Sequence, residues 1–462
     1  MDYFDFIILI YSFLLFFSKK IFKNREKILF GLIAVILLTQ VIIVGLKWQY
    51  FIIYFLIFIR IFIRIFDFSF SKKYLNFLFY LIFISLGILS VVLIYIFPVP
   101  NFEIGEEKVY SVGYEEHHLK FENRKNPIEF VELSNLSNNT QRELLLDIYY
   151  PSQEGVQFNQ LVRNKEGNWG KYIIDYLNRT WNLELPTYIF SHLKLSKFEA
   201  QKNLQVAPNQ KFPILIYSHG WAGEKIFASD QLIHLAANGY IVISIDHTGL
   251  AMFTDLPSGI IFNTGSSDNS SDIFGVMLEM VKDIEDTVTY FKNSNNDSTT
   301  IQRIVRDNSE FGSISLLGHS TGGGAAVLYC AVNFCENLIL QDPFLIPFLN
   351  AGENILINSR THFIYSEDWF NGYEDSENIT EIEVFKSLIE KNNENVYGFY
   401  LRDAKHYDFV AFGAISPLTK YTFLKGKINY GDSIEVNNYF NRTVLKGESP
   451  KESFSSYLVK IK

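Results

Sequence analysis

The sequence predicts a chain in two parts: a membrane-spanning helical region over residues 1–100, and a mostly parallel α/β domain over residues 101–462. Long apolar stretches with few charges fill the first hundred residues. Beyond them, strand-like and helix-like segments alternate, which is typical of a parallel sheet with helices on both faces. Charge follows the same division, with a net +6 in the first part and −15 in the second.

The first hundred residues contain four apolar stretches, which we interpret as about four transmembrane helices. The second and fourth approach or exceed the roughly 20 residues that a bilayer requires. The third contains Arg60 and Arg64, which we expect to extend toward the inner membrane face. A cleaved signal peptide explains only one such stretch, and a soluble bundle would show polar faces. The stretches are Tyr3–Phe17, Ile28–Leu46, Tyr50–Phe66 and Leu75–Phe97.

The charges between these stretches predict their orientation. The first connection, residues 18–27, is strongly basic, and the third contains Lys72 and Lys73, whereas the second has only Lys47. Basic connections stay in the cytoplasm. With four crossings, both termini and the whole α/β domain lie on the extracytoplasmic side, whereas losing one short crossing inverts this topology.

The α/β domain is predicted from the order of its segments. A Ser/Asp/Asn-rich insert, Gly265–Asp272, and an apolar insert, Leu250–Ile261, interrupt the alternation, and the second is a candidate lid or substrate-facing loop. Predicted strands are Leu144–Tyr150, Phe212–Ser218, Tyr240–Ile245, Ser313–Leu317, Leu338–Gln341, Thr361–Tyr365 and Val396–Leu401. Predicted helices are Asp230–Asn238, Phe274–Lys292 and Thr380–Lys391, besides one that follows residue 322.

One pentapeptide points to nucleophilic chemistry. Gly318-His319-Ser320-Thr321-Gly322 follows an apolar strand and opens a glycine-rich helix. In this strand–turn–helix setting, G-x-S-x-G forms a sharp turn that lifts the serine hydroxyl clear of the sheet. Glycine is needed on either side because a Cβ there would collide with the strand or the helix. Ser320 is therefore the candidate nucleophile.

The nucleophile needs a base that follows it in the chain. Of nine histidines, only His362 and His406 come after Ser320. His362 lies inside a predicted strand and is interpreted as structural. His406 follows the last predicted strand, in a loop where a base can reach the serine, so we predict that it carries the proton to the leaving group.

The acid that orients this histidine has two candidate positions. Asp342 follows the first strand after the nucleophile, between that buried strand and a proline, and Glu367 and Asp368 follow the next strand. An acid must be held at the far nitrogen of the imidazole to fix its tautomer. The residues alone leave this choice nearly even.

Two backbone amides are predicted to bind the oxyanion. The amide of Thr321, directly after the nucleophile, is one donor. The other is predicted in the loop after strand Phe212–Ser218, where Gly220 permits a close approach and the Trp221 amide follows. His219 and the pair Asp246-His247 precede Ser320 and are interpreted as structural.

The remaining composition excludes some classes of site. Cys330 and Cys335 fit either a disulfide or two buried thiols. Cysteine and histidine spacings give no metal site, so we expect no metal and no cofactor. The acidic domain has no basic patch that suggests a nucleic-acid partner.

The domain resembles the platelet-activating-factor acetylhydrolases, which are serine esterases with the α/β-hydrolase fold that act on phospholipids with short or oxidised acyl chains. The resemblance runs from about residue 110 to about residue 430. Its segments are Tyr110–Gly113, Asp147–Ser152, Phe212–Gly220, Leu235–Val242, Gly318–Gly323, Leu340–Phe344, Ile355–Ser359 and His406–Phe409.

This resemblance implies Ser320, Asp342 and His406 as the catalytic residues, with Trp221 and Thr321 as oxyanion donors. Together with the predicted membrane-spanning region, it leads us to expect a membrane-anchored serine ester hydrolase acting on a lipid or small ester. The nucleophile segment also resembles bacterial cutinase-like polyesterases. Alternatives are an acyltransferase of the same fold, a general carboxylesterase, a non-catalytic scaffold that keeps the fold, and a transporter or sensor role for the membrane region. Apart from Asp5 at the edge of the first stretch, the apolar stretches contain no Asp, Glu or His, which disfavours the last of these.

Overall fold

A ten-stranded sheet forms the centre of the computed structural model. The structure describes residues 7, 10, 26–43, 45–66, 73–105, 107–155, 159–160, 168–265, 272–293, 299–350, 355–372, 381–391, 395–422 and 424–461. The strands of this sheet are β1 Ser111–Lys125, β2 Gln141–Ser152, β3 Gln201–Lys202, β4 Phe212–Ser218, β5 Ile241–Asp246, β6 Ser309–His319, β7 Asn337–Gln341, β8 Arg360–Ser366, β9 Val396–Leu401 and β10 Leu458–Lys460. The longer helices are α1 Glu26–Ile43, α2 Phe51–Ile65, α3 Lys73–Ile96, α4 Trp169–Trp181, α5 Ser229–Ala237, α6 Ile273–Lys292, α7 Thr300–Asn308, α8 Thr321–Val332, α9 Glu381–Lys391 and α10 Tyr430–Leu445.

The sheet order is β10-β9-β8-β7-β6-β4-β5-β2-β1-β3. The six strands β4 to β9 are parallel to one another, while β2 is antiparallel to β5 and β10 is antiparallel to β9. All six residues of β5 are buried, as expected for a strand covered on both faces. The predicted mostly parallel α/β architecture, of the α/β-hydrolase type, is confirmed.

Two hydrophobic clusters cover the two faces of this sheet. One face packs against α6 and α8, with Leu316 and Met280 among its buried residues. The other packs against α5 and α10, with Leu317 and Phe440 buried. Adjacent residues of β6 thus enter opposite clusters, as the period of two in a strand requires. This double cover fixes the carboxyl ends of the parallel strands, where ligands bind in such sheets.

A third, smaller cluster lies outside the sheet, under α4. Trp169 of that helix packs with Phe253 of a short hairpin, Phe253–Leu256 and Gly259–Phe262. The hairpin occupies the apolar insert that the sequence analysis singled out as a candidate lid. Most of the Ser/Asp/Asn-rich insert lies outside the described residues. We call α4 and the segment that follows it, residues 169–195, the cap.

The prediction of about four membrane-spanning helices is not supported by the described residues. Among them one segment, Phe77–Ile96, is long and apolar enough to cross a membrane, with 20 residues and a mean hydropathy of 2.8. The apolar helices Gly31–Ile42 and Trp48–Ile63 are shorter, and at 1.5 Å per residue neither reaches about 30 Å. The first predicted stretch lies outside the described residues except for residues 7 and 10.

The N-terminal apolar helices and the segments that join them contact the cap. Trp48, between α1 and α2, donates from Nε1 to the carbonyl oxygen of Ile189 at 3.0 Å. Its ring also packs against Tyr188, with ring centroids 5.7 Å apart. After α3, the ring of Phe97 lies 6.4 Å from that of Phe190. The connection between α1 and α2 therefore packs against the cap.

Cys330 and Cys335 form a disulfide across the end of α8. The sequence left this pair undecided because five residues of separation fit either a disulfide or two buried thiols. Both residues are buried within the cluster that covers α8, and their Cα atoms lie 5.5 Å apart. Disulfides persist in oxidising compartments.

Candidate active site

Ser320 stands on a strained turn between β6 and α8. Its φ is +54° and its ψ is −125°, a region that residues other than glycine rarely occupy. A Cβ on Gly318 would lie 2.6 Å from the Gly322 carbonyl oxygen, and one on Gly322 would lie 2.2 Å from the Ser218 carbonyl oxygen. The two glycines of the motif are thus required by close backbone contacts, and the turn has the geometry of a nucleophile elbow.

Backbone hydrogen bonds hold this turn in place. The Ser320 amide donates to the Gln341 carbonyl at 3.0 Å, and the Phe344 amide donates to the Ser320 carbonyl at 2.9 Å. Gln341 and Phe344 lie on either side of Asp342, which directly follows β7. The nucleophile turn and the acid-bearing turn are therefore joined through their backbones.

Asp342 and His406 meet beside this turn. His406 Nδ1 lies 3.1 Å from Asp342 Oδ2. The Ser366 amide donates to Asp342 Oδ1 and its hydroxyl to Oδ2, both at 2.6 Å. Asp342 is fully buried at φ +42°. Glu367 instead accepts from the Asp403 amide at 2.7 Å. Of the acids considered from the sequence, Asp342 is the one hydrogen-bonded to His406.

The imidazole of His406 is held between two rings. The Trp369 ring stacks on it, with centroids 4.1 Å apart and 18° between the planes. On its other side the His319 ring lies 4.6 Å away, and His319 Nε2 donates to the His406 carbonyl at 3.0 Å. Because His319 directly precedes Ser320, these contacts place His406 beside the nucleophile.

Burial sets the charge state of this pair. It lowers the pKa of His406 from 6.5 to about 3, opposed by the nearby Asp368. It raises the pKa of Asp342 to about 7, opposed by the hydrogen bonds from Ser366. A neutral imidazole is the form that accepts a proton from a hydroxyl. The resting site is therefore arranged for His406 to act as a base.

The predicted oxyanion donors flank Ser320. Thr321 is the first residue of α8, where an amide has no partner within the helix. Trp221 follows Gly220, whose hypothetical Cβ would lie 2.7 Å from the Ser320 Cβ and 3.3 Å from its hydroxyl oxygen. Within the described part of the chain, neither amide donates a hydrogen bond. Both N–H groups are thus available to a charge that develops at Ser320.

A buried network supports the loop that carries Trp221. His247 donates its amide to His219 Nε2 at 3.1 Å, so the proton of His219 is on Nδ1 and is donated to the Gly220 carbonyl at 2.7 Å. His247 Nδ1 in turn lies 2.9 Å from Asp283, which also accepts from Arg142 Nε at 3.0 Å. His219 and His247 thus have structural partners, and neither is placed as a base for Ser320.

Sequence reasoning missed Ser366, Trp369 and the cap helix. Ser366 ends β8 and Trp369 lies in the short helix Glu367–Gly372 that follows it, and neither belongs to a motif with a fixed distance from Ser320. The residues before α4 are mostly polar and resemble a loop, so that helix was not predicted from the sequence. One signal could have found Ser366, because it directly follows the predicted strand Thr361–Tyr365, at the carboxyl edge of the sheet next to Asp342.

We expect Gly220→Ala to abolish most esterase activity while the protein stays folded. The new methyl group would overlap the Ser320 side chain at 2.7 Å, so either the nucleophile or the Trp221 amide must move. Loss of one oxyanion donor costs about 100- to 1,000-fold in kcat. The measurement is kcat on a soluble p-nitrophenyl ester, with Gly431→Ala as control because a Cβ there meets nothing within 4 Å. An active Gly220→Ala variant would contradict this placement.

Comparison with known proteins agrees with the resemblance in the sequence. Residues 118–254, which include the Trp221 loop, match the family described as platelet-activating factor acetylhydrolase, isoform II. This part of the chain is therefore similar to that family. A platelet-activating factor acetylhydrolase from Canis lupus familiaris is 30% identical over 110 residues, which is 23% of this chain and 24% of the relative. The matched part thus spans about a quarter of that relative, and residues 320, 342 and 406 lie outside the segment that matches the family model.

A solved structure supports the fold over a longer range. The ferulic acid esterase from Streptomyces cinnamoneus superposes with a TM-score of 0.57, covering 78% of this chain and 99% of the esterase. At 16% identity this likeness shows the fold alone. The shared fold therefore extends well beyond the segment that matches the acetylhydrolase family.

Proposed function

We propose that the protein is a serine hydrolase of carboxylic esters. The observation that carries this proposal is the convergence of Ser320, on its strained turn, with the hydrogen-bonded pair His406–Asp342. His406 takes the proton of Ser320 as the hydroxyl attacks the ester carbonyl, and Asp342 holds the imidazole in the required tautomer.

Two backbone amides assist this reaction. The Trp221 and Thr321 N–H groups stabilise the tetrahedral oxyanion, whose charge appears only after attack. His406 then returns the proton to the departing alcohol. Water, activated by the same imidazole, attacks the acyl-enzyme and releases the acid and Ser320. These steps use only side chains and amides of this chain.

The proposed substrates are lipid esters, with short-acyl or oxidised phospholipids as the preferred class. The relationship to the platelet-activating factor acetylhydrolase family supports this choice, as does the apolar segment Phe77–Ile96, which keeps the domain near lipid. The test uses the full chain in phosphatidylcholine vesicles that contain phospholipids with acetyl or palmitoyl at the second position. We expect faster release of acetate than of palmitate. Hydrolysis of a soluble p-nitrophenyl ester without hydrolysis of either lipid would refute the lipid class and leave the esterase proposal standing.

The proposed location is a membrane, with the hydrolase domain on the extracytoplasmic side. Basic residues concentrate between the apolar stretches on the opposite side, and the Cys330–Cys335 disulfide fits an oxidising compartment. The contact of Trp48 with Ile189 agrees, because it places a weakly charged connection beside the domain. Protease added outside intact cells should digest the domain, whereas protection until the membrane is broken would contradict this orientation.

We expect the acid limb of the pH–rate profile to follow Asp342, whose pKa burial raises to about 7. Asp342 must be ionised to hold the tautomer of His406, so activity is present above this pKa and is lost as pH falls through it. Burial lowers the pKa of His406, so the imidazole stays neutral over the same range. The measurement is kcat/KM on a soluble ester from pH 4 to 8, which are assay settings spanning the ordinary histidine pKa of about 6.5. An acid midpoint well below the ordinary histidine value would contradict the raised pKa of Asp342 in the working enzyme.

A further inference from the structure

A buried hydrogen bond joins the cap to the loop that carries Trp221. We call this loop, residues 219–224, the oxyanion loop. Trp169, the first residue of α4, donates from Nε1 to Glu224 Oε2 at 2.8 Å, and both side chains are buried. Within the described residues, the other oxygen of Glu224 has no hydrogen-bond partner. Burial, together with the nearby Asp246, also raises the pKa of Glu224 well above its ordinary value. On the Trp169 side, the bond lies in the apolar cluster under α4.

The bond lies at the end of a tight turn, residues 220–223, which contains Trp221 and its amide. The Gly223 amide donates to the Gly220 carbonyl at 2.9 Å, and the Ala222 amide donates to Leu250 at 3.0 Å. Ala222 has a φ of +51°, a left-handed conformation that needs support from its surroundings. Glu224 follows the turn directly, so its anchorage on Trp169 fixes one end of the strained segment.

The cap is in turn supported by the membrane region. A Cβ on Gly170, the residue after Trp169, would lie 2.1 Å from the Phe190 carbonyl oxygen, so α4 packs directly on the end of the cap. Trp48 donates to Ile189, next to Phe190, and Phe97 packs on Phe190 from the end of α3. Contacts are thus continuous from the membrane region to the oxyanion loop.

We propose that Trp169 and Glu224 are positioning residues for the Trp221 amide, and that Trp48 holds the cap helix on which Trp169 lies. The membrane region is then a supporting part of the active site as well as an anchor. This inference rests on the proposed esterase function. It assigns no contact with substrate to Trp169, Glu224 or Trp48.

The test compares variants of the full chain in vesicles on a soluble p-nitrophenyl ester. Trp169→Phe keeps the ring and removes the donor, and we expect kcat to fall about tenfold at unchanged KM, less than the loss of a whole oxyanion donor. Glu224→Ala should cause the same fall, whereas Glu224→Gln keeps an acceptor oxygen and should retain most of kcat. Trp181→Phe, at the half-exposed far end of the same helix, is the matched control and should behave as wild type.

A double-mutant cycle tests the membrane link. Trp48→Phe should lower kcat about threefold in the wild-type background and not at all in Trp169→Phe, because residues that act through a shared contact are not additive. Thermal unfolding midpoints show whether each variant is folded. An unchanged kcat in folded Trp169→Phe, or equal losses in Glu224→Gln and Glu224→Ala, would overturn the positioning role. Additive losses would overturn the link to Trp48, and an inactive wild type would refute the proposed function itself.

Discussion

Ser320→Ala should eliminate ester hydrolysis and all labelling by a fluorophosphonate probe. The substitution removes the hydroxyl that we propose as the nucleophile, on the strained turn beside His406, while the small side chain leaves the packing of the turn intact. Loss of the serine in such a catalytic group costs about 10⁴- to 10⁶-fold in kcat. The measurement is probe labelling of the membrane-bound protein, followed by kcat on a soluble ester.

Ser313→Ala is a suitable control for this experiment. Ser313 lies on β6, seven residues before Ser320. Its hydroxyl donates to Glu336, which directly precedes β7, so Ser313 is near the amino ends of the strands and away from the nucleophile. It should label as wild type does. If folded wild-type protein fails to label, Ser320 is not an activated nucleophile, and a non-catalytic scaffold becomes the better interpretation.

Asp342→Asn should lower kcat about 10⁴-fold, with little change in KM. The amide has almost the same shape but cannot hold the His406 Nδ1 proton as a carboxylate does, so the imidazole adopts the wrong tautomer. Ser366 donates two hydrogen bonds to the same carboxyl group, and the amide can accept only at its one oxygen. The measurement is kcat and KM on a soluble ester, alongside the thermal unfolding midpoint.

Asp368→Asn supplies the matched control because the sequence made this residue a rival for the same role. Its charge lies close enough to raise the pKa of His406, but the hydrogen bond to the imidazole belongs to Asp342. We expect kcat of Asp368→Asn to fall by less than about threefold, because the substitution removes a charge that solvent screens. A large loss in Asp368→Asn together with an active Asp342→Asn would reverse the assignment of the acid.

The fold was largely predictable because the α/β domain follows local rules. Strand β4, Phe212–Ser218, and strand β9, Val396–Leu401, have the bounds that their apolar runs predict. The turn at Ser320 was also predictable, since its glycines are needed wherever backbones approach this closely. The prediction of about four membrane helices is not supported by the described residues, because the second and third stretches form apolar helices shorter than a bilayer requires.

The sequence by itself determined the order of strands and helices, the candidate nucleophile Ser320, the candidate base His406 and two candidate positions for the acid. These depend on residue types at short spacing, which govern local structure. For the acid, the family resemblance implied Asp342, and the tertiary structure shows its hydrogen bond to His406. Tertiary structure alone decided which rings hold the imidazole and how the cap reaches the oxyanion loop. Those contacts join residues such as Asp342 and His406, or Trp169 and Glu224, whose distance along the chain carries no information about their distance in space. That distance is set by the packing of whole strands and helices around a shared core.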